Sequence, residues 1–258
     1  MHNFNINIKE GNMEIRSFGV GRRIKECERL LGTVADRYSG RLILLPIPTT
    51  RDNIYINGTD MTLTSLLHSI DFGSIVAGYN IPKLIKEGTE RLGGRVIDAY
   101  LDEEFLLKNA IISARGALGY LLTSLPREIS RLRIGVIGYG RIGRELSGLL
   151  LLLGSKVTVF TTTRDVAIEL GESGVDSVLI DGLICPEGFD VIINTAPKRL
   201  LDENNLDEKT EILDLASGNI FEPSKRLTKL SSIPDSMYPI TAGRLYFEAI
   251  LRGLEVKK

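Results

Sequence analysis

The stretch Arg133-Ile134-Gly135-Val136-Ile137-Gly138-Tyr139-Gly140-Arg141-Ile142-Gly143-Arg144 decides how the chain is read. Ile134 to Ile137 is a short apolar run without helical spacing, which predicts a buried strand. Gly138, Gly140 and Gly143 then form a G-x-G-x-x-G pattern. A helical stretch from Arg144 to Leu153 follows, closed by Gly154, a usual stop residue. Lys156-Val157-Thr158-Val159-Phe160 is β-branched and reads as the next strand. The glycine pattern alone is weak evidence; a strand before it and a helix after it give it meaning. In that setting Gly138 permits the tight turn, Gly140 lets the backbone approach a pyrophosphate, and Gly143 lets helix and strand pack closely. Arg141 and Ile142 lie in the motif just ahead of the helix, whose N–H groups and partial positive charge favour phosphate, so both are expected at the cofactor. The plain alternative is a glycine-rich turn that binds nothing.

The alternation continues downstream. A helix is expected around Asp165–Glu172, a strand near Val175–Leu179, and strands at Asp190–Ile193 and Glu211–Asp214. Apolar strands alternating with helices indicate a parallel sheet covered on both faces. Residues 131–238 therefore read as a Rossmann-type dinucleotide-binding domain. Residues 1–112 read as a second, less regular α/β domain for substrate or partner, with strands at Met13–Phe18, Leu42–Leu45, Ser74–Ala77 and Arg95–Ile97. Helices are expected there at Arg22–Leu31 and Pro82–Leu92. The segment 113–130 is expected to link the two as a long helix from about Ala114 to Ser130, with Leu118, Leu121, Leu122 and Leu125 as its apolar stripe. The segment 239–258, with an amphipathic helix from Thr241 to Leu254, should pack back on the first domain. The expected fold class is α/β: two doubly wound lobes linked by long helices, with a ligand cleft between them.

A length of 258 residues suits one large domain or two small ones. Lys and Arg number 32 against 33 Asp and Glu, a formal net charge of −1, which removes the main drive for general nucleic-acid binding. Cys27 and Cys185 cannot build a disulfide framework, and no Cys/His cluster suggests a metal. The run Leu149–Leu153 is far short of the roughly 18 apolar residues of a membrane span. Met1-His2-Asn3-Phe4-Asn5 lacks the basic segment and apolar core of a secretory signal. These features predict a cytoplasmic protein with neither nucleic acid nor membrane as partner; a homo-oligomer is expected, though no sequence feature specifies it.

The end of the second strand separates the two pyridine dinucleotides. NAD-binding folds usually carry Asp or Glu about 20 residues after the motif, accepting from the ribose hydroxyls. This chain has Thr161-Thr162-Thr163-Arg164 there. Three hydroxyls and a guanidinium can donate to a 2′-phosphate, and no carboxylate repels it. The expected cofactor is NADP, with NAD the other possibility. The competing reading makes Thr163 a helix cap and Arg164 a solvated side chain. Asn194-Thr195-Ala196-Pro197 and Asp214-Leu215-Ala216-Ser217 follow apolar strands, where Asn194, Thr195, Ala196 and Ser217 could reach the cofactor or be ordinary turn residues.

From about Leu42 onward the chain resembles the dipicolinate synthase A-chain family. The likeness lies in Leu45-Pro46 to Thr49-Thr50, in the glycine motif with its flanking strands, and in Ile212-Leu213-Asp214-Leu215-Ala216-Ser217 followed by Pro239-Ile240-Thr241-Ala242-Gly243. The last pairing is not generic to nucleotide-binding folds. The resemblance implies an α/β amino-terminal domain and a nicotinamide-dinucleotide domain. It implies cytoplasmic work in spore formation: oxidation of a dihydrodipicolinate-type precursor to pyridine-2,6-dicarboxylate, with a flavoprotein-like second subunit. The layout is similar to that of 2-hydroxy-acid dehydrogenases. Two departures stand out. Gly32–Gly40 offers no second strand, so the first domain looks shortened, and Ser113-Ala114-Arg115-Gly116 stands where the family has Thr-x-Glu-Gly. Exchanging that Glu for an Arg reverses the local charge and bears on substrate identity.

His2 and His68 are the only histidines, and the second domain has none. That counts against the His–carboxylate mechanism of 2-hydroxy-acid dehydrogenases and suits an oxidation whose product is an aromatic ring. His68, after Leu66-Leu67 on an expected helix, reads as a surface or capping residue, and no catalytic residue is assigned. A small anionic substrate needs cationic partners. Arg51 and Thr50 follow the proline loop, Ser113 and Arg115 stand at the expected start of the linking helix, and Arg244 follows Thr241-Ala242-Gly243. Each arginine taken alone reads first as a solvated surface residue; their shared place at loop-to-element junctions predicts that at least one lies in the cleft. Tyr79 and Asn80 are secondary candidates. Two other functions remain open: a dehydrogenase of a small 2-oxo or 2-hydroxy acid, and a nucleotide-binding subunit inactive without a partner. Met237, Tyr238, Leu245, Tyr246 and Phe247 could form that partner's interface, or else pack in a core.

Overall fold

The structure is a computed structural model that describes residues 12–218 and 220–255. The pentapeptide read for a secretory signal, with His2, lies outside the described residues. The chain divides after Asn109 and again after Ile233: Ala110–Ile233 forms one compact unit, and the residues on either side form the other.

In the first unit, β1 (Glu14–Ser17), β2 (Arg41–Leu44), β3 (Ile75–Gly78) and β4 (Arg95–Asp98) make a parallel sheet in consecutive order. Strand periodicity sends alternate side chains to opposite faces. Leu42 and Leu44 pack with Ile24, Cys27 and Leu31 of α1 (Arg22–Gly32) and with Tyr246 and Ile250 of the last helix, α8 (Pro239–Glu255). Ile43 and Val76 pack with Leu63 and Leu66 of α2 (Leu63–His68) and Ile85 of α3 (Lys83–Arg91). Tyr246 belongs to this core, its hydroxyl donating to the Leu45 carbonyl at 2.9 Å. Where α8 crosses α1, a Cβ at Gly243 would stand 2.7 Å from the Arg23 carbonyl oxygen, so this approach needs glycine. The expected gap between Gly32 and Gly40 holds only a single 3₁₀ turn, Ala35–Arg37.

The linking helix corrects the sequence reading. α4 runs Glu103–Ser124, starting well before Ala114 and stopping ahead of Ser130. Pro126 disfavours helical backbone at Leu125, which explains the stop. Its buried face is Ala114, Ala117 and Leu121, while Leu122 is exposed.

The second unit contains β5 (Arg133–Ile137), α5 (Arg141–Leu152), β6 (Lys156–Thr161), α6 (Arg164–Glu172), β7 (Asp176–Leu179), β8 (Val191–Asn194), β9 (Glu211–Asp214) and β10 (Leu227–Lys229). The parallel sheet is ordered β7-β6-β5-β8-β9-β10, the 3-2-1-4-5-6 order of a Rossmann fold. One face, with Ile134, Val136, Val159 and Ile193, is covered by α4, α5 and α6. The other, with Ile137, Phe160, Ile192 and Ile212, is covered by Leu201, Leu206 and Phe221 from connecting segments that form no helix among the described residues. Strand order reverses between β5 and β8, the switch point where such sheets bind ligands. No helix among the described residues is long and apolar enough to cross a membrane.

Candidate functional site

The three motif glycines are distinguished by what surrounds them. Gly138 has φ +90°, a conformation natural to glycine, and a Cβ there would lie 2.9 Å from Thr195 Oγ1. A Cβ at Gly143 would lie 2.3 Å from the Gly138 carbonyl oxygen, so helix α5 touches the strand end directly. Gly140 is different. Nothing stands within 4 Å of the Cβ it lacks, and the residue is exposed. A cradle that an added methyl would partly fill is what close approach of a pyrophosphate requires. The α5 N-terminus follows at Arg141, Ile142 and Gly143, with Gly140 as a cap residue that contributes no side-chain hydrogen bond. The residues present fit a dinucleotide's diphosphate. Arg144 fixes the next turn: it pairs with Glu169 of α6 at 3.0 Å and lies over the Tyr139 ring, 4.9 Å from its centroid.

At the end of β6, Thr161 is buried and its hydroxyl accepts from the Thr163 N–H at 3.2 Å. Thr162, Thr163 and Arg164 are exposed. Thr163 occupies the cap position of α6 but makes no side-chain capping bond, and the helix begins at Arg164, one residue earlier than expected. The capping reading of the Thr163 side chain is therefore corrected. Arg164 has no ion-pair partner among the described residues.

Asn194, Thr195 and Ala196 stand beside the glycine loop but are used internally. Asn194 is fully buried; its Nδ2 donates to Asp214 Oδ1 at 2.8 Å and to the Ala196 carbonyl at 3.2 Å, and its Oδ1 accepts from the Ala196 N–H. Thr195 Oγ1 lies 2.9 Å from the Ile137 carbonyl and 3.2 Å from that of Gly138, bracing the loop from behind. These are struts rather than groups offered to a ligand. Ser217 is exposed. Sequence reasoning missed Lys229, whose ammonium lies 2.5 Å from Asp214 Oδ2 and 2.6 Å from the Gly218 carbonyl. The only signal was a lysine in a three-residue edge strand, β10, itself too short and polar to predict.

The anion-binding candidates separate. Arg115 and Ser113 lie inside α4, not at its start: Arg115 is exposed and only 4.0 Å from Glu145, and Ser113 is buried. Arg244 lies within α8, exposed, and interacts electrostatically with Glu26. The shared junction placement of the arginines therefore holds only for Arg51. Its Nε donates to Asn57 Oδ1 at 3.2 Å, on a hollow of about 310 Å³ lined also by Asp52, Tyr55, Gly58, Thr59 and Asp60. The Thr50 hydroxyl is engaged in its own turn, bonding Asp52 at 3.1 Å and accepting from the Asn53 N–H. The Asp52 carboxyl is held below its ordinary range by the Tyr55 and Ile54 backbone N–H groups. His68 ends α2, exposed, in the helix's last turn. Asn80 adopts φ 50° and its N–H donates to Asp98 at 2.7 Å, while Tyr79 packs edge-on against Tyr100.

No family model and no curated protein matches the chain. Among solved structures, the dipicolinate synthase A chain from Bacillus halodurans is similar with a TM-score of 0.75 at 18% identity, over 96% of this chain and 99% of that one. The corresponding dipicolinate synthase chain from Bacillus subtilis gives 0.74 at 17%, over 96% and 97%. A transhydrogenase from Sinorhizobium meliloti gives 0.59 at 13%, over 97% and 91%. The fold is shared with these structures and with an L-alanine dehydrogenase, which gives a TM-score of 0.53 at 14% identity over 96% of this chain. The likeness seen in sequence from Leu42 onward extends in structure over nearly the whole chain.

Proposed function

We propose that the chain is an enzyme like the dipicolinate synthase A chain. It oxidises a dihydrodipicolinate-type cyclic dicarboxylate to dipicolinate with NADP, in the cytoplasm during spore formation, together with a flavoprotein-like second subunit. The observation that carries this reading is the open space over Gly140, set between Gly138 and Gly143 at the point where strand order reverses. Thr162, Thr163 and Arg164, the last without an ion-pair partner among the described residues, support the preference for a 2′-phosphate, since an exposed guanidinium donates charge-assisted bonds to such a group. The nearest acid, Asp165, sits in the first turn of α6, where it complements the helix dipole.

When bound, the nicotinamide supplies hydride acceptance. The substrate ring gives up one hydride and one proton and becomes aromatic, so the driving force lies in the product. With no histidine between Ala110 and Ile233, no imidazole in that unit competes as the proton acceptor, and water suffices for an acidic ring proton. The test is to generate the cyclic substrate in situ and supply NADP or NAD to the full chain, with and without a candidate second subunit. Formation of reduced cofactor and of the pyridine dicarboxylate should both be followed. NADP-dependent formation of pyridine-2,6-dicarboxylate is expected. Turnover of an open-chain 2-oxo or 2-hydroxy acid, with none of the cyclic compound, would replace this reading.

A further inference from the structure

Arg23 is a buried cation that sequence reasoning passed over. It lies in the first turn of α1, 4% exposed, and belongs to the first unit. Its terminal nitrogen donates to Asn109 Oδ1 at 3.0 Å. Its Nε stands 3.1 Å from Asp235 Oδ1, yet no acceptor meets that N–H in hydrogen-bonding geometry. Burying a guanidinium is costly, and a pair holding it by charge without a formed hydrogen bond recovers little of that cost. A core position that needed only packing would be better served by an apolar side chain of the same volume.

The local charge points the same way. Arg51 also acts on the Asp235 carboxylate, so this one carboxylate faces two guanidiniums. Arg22 adds another cation beside Arg23, in the first turn of a helix that has no side-chain cap and no acidic residue there. Cations at a helix N-terminus are unfavourable unless an anion is close. The phenol of Tyr79 is also near enough to act on Arg23. The Arg51 loop and the loop before α1 adjoin, since a Cβ at Gly58 would lie 3.1 Å from Val20 Cγ2. Val20, Ile54 and Tyr55 are exposed apolar residues of these same loops, suited to the face of a flat ring.

We infer that Arg23 and Arg51 are the carboxylate-binding residues of the first unit, taking the two carboxylates of a small dicarboxylate, and that Asp235 is the internal carboxylate the ligand displaces. The assignment rests on the dicarboxylate specificity proposed above and identifies the residues that would enforce it. It also replaces Arg115 and Arg244 in that role. Both are exposed and inside helices, whereas Arg23 is held rigidly by the tight crossing of α1 and α8.

The test is calorimetric titration of the full chain with pyridine-2,6-dicarboxylate and, separately, with glutarate and pyruvate. Thermal unfolding of each variant is measured alongside. Arg23→Met should weaken pyridine-2,6-dicarboxylate by about tenfold or more, the loss of one charge-assisted contact. Asp235→Asn should strengthen it, because the competing carboxylate is gone. Arg51→Ala, at an exposed site that puts folding at no risk, should weaken it as well. Effects of opposite sign at Arg23 and Asp235 are not expected of a structural brace, for which both substitutions would lower the unfolding temperature and neither would move affinity. Unchanged affinity in both Arg23→Met and Arg51→Ala would overturn the assignment while leaving the proposed reaction standing. Arg23-dependent binding of glutarate, with none of the pyridine compound, would uphold the assignment and overturn the cyclic substrate.

Discussion

Asn194 Nδ2 and Asp214 Oδ1 lie 2.8 Å apart across the carboxyl ends of β8 and β9, both side chains essentially without solvent contact. The two residues are register partners, as are Asp214 and Lys229 on β9 and β10. One buried carboxylate thus ties three adjacent strand ends together beside the glycine loop.

Lys229 is the cation that makes that buried carboxylate tolerable. Its side chain is partly exposed, so Lys229→Met should fold, but the buried Asp214 carboxyl would be left without its cationic partner. Breaking such a pair costs about 3 kcal/mol. Urea unfolding of the variant should show a lower midpoint with an unchanged slope, and Asp214→Asn in the same background should recover part of the loss. A midpoint equal to that of the unsubstituted protein would mean that the pair contributes nothing.

The three motif glycines should respond differently to alanine. Gly143→Ala forces a Cβ to 2.3 Å from a backbone oxygen, and Gly138→Ala forces φ +90° on an L side chain. Each should destabilise the fold by more than about 1 kcal/mol. Gly140→Ala adds its methyl to open space at an ordinary φ of −74° and should cost less than about 1 kcal/mol, the loss of a favourable cap residue. Chemical denaturation of all three would show whether this order holds.

Arg164→Ala should weaken NADP by about tenfold, as expected for one charge-assisted contact to a phosphate, while leaving NAD within a factor of about two. Equal loss for the two dinucleotides, read by fluorescence of the reduced forms, would remove Arg164 from 2′-phosphate recognition.

Burial, offset in part by Arg23 and Arg51, raises the Asp235 carboxyl above its ordinary value of 3.8. The native state then holds this proton more tightly than the unfolded chain. The stability tied to it is complete below the ordinary value and is lost as pH rises through the raised one. Asp235→Asn should abolish that decline. The difference in unfolding free energy between variant and parent should shift in the variant's favour from about pH 4 towards neutrality. A pH-independent difference would contradict the raised value.

How far the sequence was legible follows from what each signal depends on. The glycine motif and the strands β5, β6 and β9 were readable because apolar runs, and glycines at a tight turn and a close helix–strand contact, are local requirements. The ends of α4 were not: Glu103–Leu107 begins with charged residues and was hidden by the alanine- and leucine-rich centre. Asn194 and Thr195 were placed correctly at strand ends, but sequence cannot tell a side chain turned inward to Asp214 or Ile137 from one turned to a ligand. Arg23 was invisible for the same reason. Its neighbours Asn109 and Asp235 lie far along the chain, and an arginine beside another arginine reads as solvated surface until the helix crossing at Gly243 is seen.

The most direct test of the central claim is a calorimetric titration of the full chain with NADP and NAD, repeated with Gly140→Ala. The proposed function predicts that NADP binds, more tightly than NAD, and that the alanine variant stays folded but loses most of that affinity. Binding of neither dinucleotide, or binding that the added methyl leaves untouched, would contradict a diphosphate seated over Gly140.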